Sequence, residues 1–132
     1  MIALDTSLLV RLLTNDAPRQ AAKVEAWLLA HTSARERAYV DHIVLCELAW
    51  VLERSYGYAR GEIERALAAL MAHDHLRLEA PALLRQALAL YAKGPADFSD
   101  YLLALRAQAV GYAPVLTFDK KVAKTSTHRL LR

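Results

Sequence analysis

The chain has 132 residues, 55% of them hydrophobic and 23% charged, with four Gly and four Pro, which is the profile of a globular protein rather than a disordered or collagen-like one. One domain, residues 1–132, accounts for that length, and a chain of this size buries enough surface to fold without a staple. The single cysteine, Cys46, excludes an internal disulfide and suits a reducing cytoplasm. No apolar run approaches the roughly 20 residues needed to cross a bilayer, and Met1–Leu4 is too short for the core of a secretory signal. The net charge of +3 permits nucleic-acid binding without arguing for it. Its distribution says slightly more, because Lys120, Lys121, Lys124, His128, Arg129 and Arg132 all follow the final acid, Asp119. A solvated helix and tail explain that run equally well.

In chain order, Met1–Leu4 is a short apolar run that reads as a buried strand ending at Asp5. A short helix over Ser7–Leu13 stops near Asn15. Asp16-Ala17-Pro18 reads as an N-cap with an early proline, opening a helix to about Ala30. Ala21, Val24, Trp27 and Leu28 follow helical spacing along it. Ala38–Val40 is a second strand, and Asp41 caps a helix from His42 to about Ser55. Tyr56-Gly57-Tyr58 ends that helix, and another runs from about Arg60 to Ala72. Leu76–Glu79 alternates as a strand does. Pro81 opens a helix to about Ala92, Gly94-Pro95 breaks the chain, and Phe98–Val110 is helical up to Gly111. Pro114–Thr117 is a strand ending near Asp119, followed by a short helix and a last strand. Strands alternating with helices imply an α/β, doubly wound fold with a parallel sheet.

Acids stand where such a fold gathers ligands. In an open parallel sheet, ligands sit outside the carboxyl ends of strands, and Asp5 and Asp119 each follow a strand there. Each also reads as the cap of the next helix. Glu47 is the only charge in Ile43–Leu52, so its helix reads as buried on most of its surface. A carboxylate there needs a cation, an ion-pair partner or an outlet to solvent. Asp97 and Asp100, spaced i, i+3 at the start of a helix, can face one way. Asp97 reads as an N-cap, whereas Asp100, followed by Leu102, Leu103 and Leu105, lies closer to the core. Converging carboxylates repel unless protonated or bridged by a divalent cation, and an all-oxygen set suits Mg²⁺ or Mn²⁺. Such a cation supports hydrolysis of a phosphodiester.

These motifs resemble the PIN domain, and within it the VapC-type toxin ribonucleases of toxin–antitoxin pairs, along essentially the whole chain. Ile2-Ala3-Leu4-Asp5-Thr6-Ser7 resembles the opening strand and first acid, and Glu47-Leu48-Ala49-Trp50-Val51-Leu52 the helical glutamate motif. Asp97-Phe98-Ser99-Asp100-Tyr101-Leu102-Leu103-Ala104 resembles the third motif, and Val115-Leu116-Thr117-Phe118-Asp119-Lys120-Lys121 the fourth. The resemblance implies a three-layer α/β/α fold around a parallel sheet of four or five short strands. It also implies an endoribonuclease using Mg²⁺ or Mn²⁺, a VapB-type antitoxin partner, a homodimer and a cytoplasmic setting. Carried over by position, Asp5, Glu47, Asp100 and Asp119 are the catalytic, metal-binding acids, with Asp97, Thr6 and Thr117 in support. Ser7 departs from the Asn frequent in the family, which alters hydrogen bonding near Asp5 but removes no ligand.

Competing readings are few. His73-Asp74-His75 reads as a metal site or an exposed loop. Cys46 reads as a buried hydrophobe rather than a nucleophile, since no base has a defined relation to it. Trp27, Trp50 and the tyrosines could stack RNA bases, although Trp50 reads better as core or dimer packing. No Gly-rich phosphate loop is present. A phosphohydrolase with a nucleophilic strand-end Asp would carry a second Asp where Ser7 stands. A silent PIN-like module that only binds RNA or a partner is disfavoured by the intact acids.

Overall fold

The computed structural model describes residues 1–132 and divides them into two compact units, Met1–Glu79 and Ala80–Arg132. In the first unit, α1 (Thr6–Leu13) and α2 (Pro18–His31) pack on each other, and β1 (Ala38–Val40) leads into α3 (His42–Tyr56). Helix α3 packs against α1 and against α4 (Arg60–Met71), which returns the chain to β2 (Leu76–Leu78). The second unit pairs α5 (Pro81–Lys93) with α6 (Phe98–Ala109), then adds β3 (Val115–Thr117), a 3-10 turn over Val122–Lys124, and β4 (His128–Leu130).

Local chemistry accounts for these boundaries. The Asp41 carboxylate accepts the Val44 N–H at 2.9 Å and starts α3, while Gly57, at φ 68°, supplies the left-handed residue that ends it. Pro18 and Pro81 stand in the first turns of α2 and α5, where a missing N–H costs nothing. All strand pairings are parallel: β1 with β2, and β3 with β4. Parallel pairs need a crossover between them, which α3 and α4 provide in the first unit.

Two expectations need correction. Met1–Leu4 is not a full strand. It forms one parallel bridge, Ala3 to Tyr39, through Leu4 N–H to Tyr39 O and Tyr39 N–H to Ile2 O, both at 2.8 Å. Met1 to Ala3 are exposed and only Leu4 is buried, so burial does not extend the pairing. The strands also form two separate two-stranded sheets of three-residue strands rather than one sheet of four or five. Strand β1 cannot run past Val40, because Asp41 commits the next residue to a helix.

The first unit buries Leu9, Leu28, Val40, Leu45, Leu48, Leu52, Ile63, Leu67 and Leu76. The second buries Leu84, Tyr91, Phe98, Tyr101 and Leu102, with Tyr91 and Phe98 edge to face at 6.1 Å. No helix is long and apolar enough to cross a membrane.

Candidate active site

The four acids that the resemblance makes metal-binding divide evenly between the units, Asp5 and Glu47 in the first and Asp100 and Asp119 in the second, with Asp97 also in the second. Within neither unit do three or more His, Cys, Asp or Glu side chains form a group that could hold a metal by itself.

Asp5 is the N-cap of α1, where its Oδ1 accepts the Ser7 N–H at 2.8 Å. The interaction satisfies an orphan donor of the first turn and leaves Oδ2 without a partner. Thr6, half-buried, is the first residue of that helix. Asp119 follows β3 and repeats the device: its Oδ1 accepts Lys121 N–H at 2.9 Å and Val122 N–H at 3.2 Å. Thr117 supports this turn, its Oγ1 accepting the Asp119 N–H at 3.0 Å. Asp97 is exposed and sits at the N-cap of α6, as its position before Phe98 suggests. Asp100, half-buried one turn in, accepts the Asp97 N–H on Oδ2 at 3.0 Å. Asp100 is thus the more buried of the two. Asp5 and Asp100 sit at helix N-termini, where the backbone dipole favours negative charge, and Asp119 in the turn after β3, each with one oxygen bonded and one open.

Glu47 overturns an expectation. It is exposed, not buried, and makes no ion pair or hydrogen bond. The buried stripe of α3 is His42, Leu45, Leu48, Ala49 and Leu52, at spacings of three and four. Ile43, Glu47, Trp50 and Arg54 occupy the other side, with Ile43 69% and Trp50 56% exposed. The run looked buried all round because the outer face is itself largely apolar. Trp50 is accordingly not core, and the Arg54 guanidinium lies 4.2 Å from the centre of its ring. Trp50 and Arg54 are four apart in sequence, a spacing from which the pair could have been read.

Asp16 is the second correction. The N-cap of α2 is Ala17, which has no capping side chain. Both Asp16 oxygens are instead used elsewhere: Oδ1 accepts from Thr14 Oγ1 at 2.7 Å and Arg11 Nη1 at 3.2 Å, and Oδ2 accepts from Tyr56 Oη at 2.6 Å. The Tyr56 hydroxyl, then Thr14 and Arg11, hold its carboxyl below the usual carboxylate range. His73 and His75 are also structural: His73 Nδ1 accepts the His75 N–H at 3.1 Å, and His75 Nδ1 meets Thr32 Oγ1 at 2.7 Å. A groove beside α1 and α2 is lined by Leu4, Ser7, Leu8, Arg11, Lys23 and Trp27 among others, so it runs past the Asp5 turn.

With this arrangement in hand, comparison with known proteins gives the class. The family model of the PIN domain matches residues 2–127, and the chain belongs to that family. A curated relative, the VapC ribonuclease of Aquifex aeolicus (strain VF5), is 25% identical over 124 residues, which is 94% of this chain and 91% of that protein. The crystal structure of Mycobacterium tuberculosis VapC20, described as a sarcin–ricin-loop-cleaving toxin, is 19% identical, with a TM-score of 0.44 and 94% of both chains covered.

Proposed function

We propose that the chain is a divalent-metal-dependent endoribonuclease, the toxin of a toxin–antitoxin pair. The observation that carries the reading is the match to the PIN domain across both units, with a VapC ribonuclease relative aligned over nearly its whole length. On this reading residues 1–132 act as one PIN domain, and Asp5, Glu47, Asp100 and Asp119 together hold Mg²⁺ or Mn²⁺.

The donor set fits such a cation: Asp5, Asp100 and Asp119 each keep one carboxylate oxygen without a protein partner, and Glu47 keeps both. A bound Mg²⁺ or Mn²⁺ supplies the Lewis acidity that activates water and offsets charge on a phosphodiester. The chain supplies rigidity. The Ser7, Lys121, Val122 and Asp97 N–H groups fix three carboxylates before any ligand arrives. Thr117 orients the Asp119 turn, and Thr6 begins the helix that Asp5 caps. Asp97 supports Asp100 through its own N–H. Partners follow from the same reading: RNA as substrate, a VapB-type antitoxin, a second copy in a homodimer, and a cytoplasmic setting. The groove past Asp5, apolar but carrying Arg11 and Lys23, suits an antitoxin segment with apolar and acidic residues.

The test is cleavage of structured RNA by antitoxin-free protein. Cleavage with Mg²⁺ or Mn²⁺ that stops in chelator is expected, and undiminished cleavage in excess EDTA overturns the metal mechanism.

A further inference from the structure

The structure points to Trp50 as a stacking platform for an RNA base beside the cleaved phosphate, an inference that rests on the proposed nuclease reading. Trp50 lies three residues after Glu47 on the exposed side of α3, so the two side chains are neighbours about one helical turn apart. The ring is 56% exposed although the opposite side of the same helix is packed, so it is not an incompletely buried core residue. Arg54 lies over the face of the ring at 4.2 Å from its centre, which holds the indole in one orientation and sets a positive charge against it. A ring already held loses little freedom when a base stacks on it, and an adjacent guanidinium attracts the phosphate backbone. Stacking tolerates any base, because every base has a π face.

The alternative occupant is a second copy of this chain. Glu47 lies between Ile43 and Trp50 on the same face and has no partner, so a protein surface closing over it would strand a carboxylate. A strand of RNA arriving with a cation would not. Charge therefore favours RNA on this face.

The experiment uses Trp27→Phe, which leaves Trp50 as the only indole, since the chain has two tryptophans. A single-stranded 12-mer oligoadenylate, titrated with Ca²⁺ present, should quench its emission saturably. In parallel, Trp50→Ala should raise KM for cleavage of total RNA by on the order of 10- to 100-fold with kcat little changed. Trp50→Phe, which keeps a stacking face, should restore most of the loss. An active Trp27→Phe protein with no quenching, beside an unchanged KM in Trp50→Ala, overturns the platform. So does Trp50 emission that shifts with protein concentration in the absence of RNA, which assigns the ring to a second copy. Saturable quenching in a Trp27→Phe protein that cleaves no RNA supports Trp50 as an RNA contact while refuting the nuclease reading, so the two failures remain distinct.

Discussion

Two sets of carboxylates in this protein are held in opposite ways. On the loop between α1 and α2, Asp16 has both oxygens bonded, to Thr14, Arg11 and Tyr56. At the N-termini of α1 and α6 and in the turn after β3, Asp5, Asp100 and Asp119 each give one oxygen to backbone N–H groups and keep the other. A saturated acid ties a loop and has no coordination left to offer. A half-bonded one is oriented but still available. Glu47, exposed and unpaired, completes the second set on the proposed reading.

The contrast predicts that activity and stability separate between the two sets. The largest effect falls on Asp100→Asn and Asp119→Asn, which remove a proposed ligand and a charge together and should leave no detectable cleavage at any Mn²⁺ concentration. Glu47→Gln should be equally inactive. Its exposure and lack of a partner predict stability within about 0.5 kcal/mol of wild type by denaturant melts. A loss near 3 kcal/mol, the scale of a broken buried pair, would mean that Glu47 is structural. Asp97→Asn is milder: a reduction of roughly 10- to 100-fold that added Mn²⁺ offsets. A dead Asp97→Asn beside a rescued Asp100→Asn would reverse the two assignments.

The smaller effects concern stability alone. Ala80 holds φ 44°, a left-handed conformation costly for a residue with a Cβ. After the entropy cost of glycine, Ala80→Gly should gain about 0.5–1 kcal/mol, and a clear loss would show that the strain is not there. Asp16, whose pKa is lowered, stabilises the fold above the ordinary carboxylate value of 3.8, and that contribution fades as pH falls through the lower, folded-state pKa. Asp16→Asn should therefore destabilise the protein at neutral pH, flatten the acid limb of its stability profile, and spare metal-dependent cleavage. An unaltered acid limb would remove Asp16 from that role.

Much of the fold is legible in the sequence because its boundaries are local chemistry. Asp41, Gly57, Pro18 and Pro81 act within a turn of where they stand, so helix limits follow from short windows. Long-range facts are not legible in that way. Tyr56 reaches Asp16 across forty positions, so Asp16 reads as a cap until that contact is seen. The outer face of α3 carries Ile43 and Trp50, so periodicity alone does not reveal that Glu47 faces water. The four acids are legible as motifs in order along the chain. The common role proposed for them rests on the family, because a sequence marks the residues and not the distances between them.

The most direct test of a shared metal site is a Mn²⁺ titration by calorimetry of the wild type, Asp5→Asn and Asp119→Asn, one variant from each unit. Either substitution should abolish the same high-affinity binding event. Independent weak sites, one lost with each substitution while the other persists unchanged, would contradict a shared site.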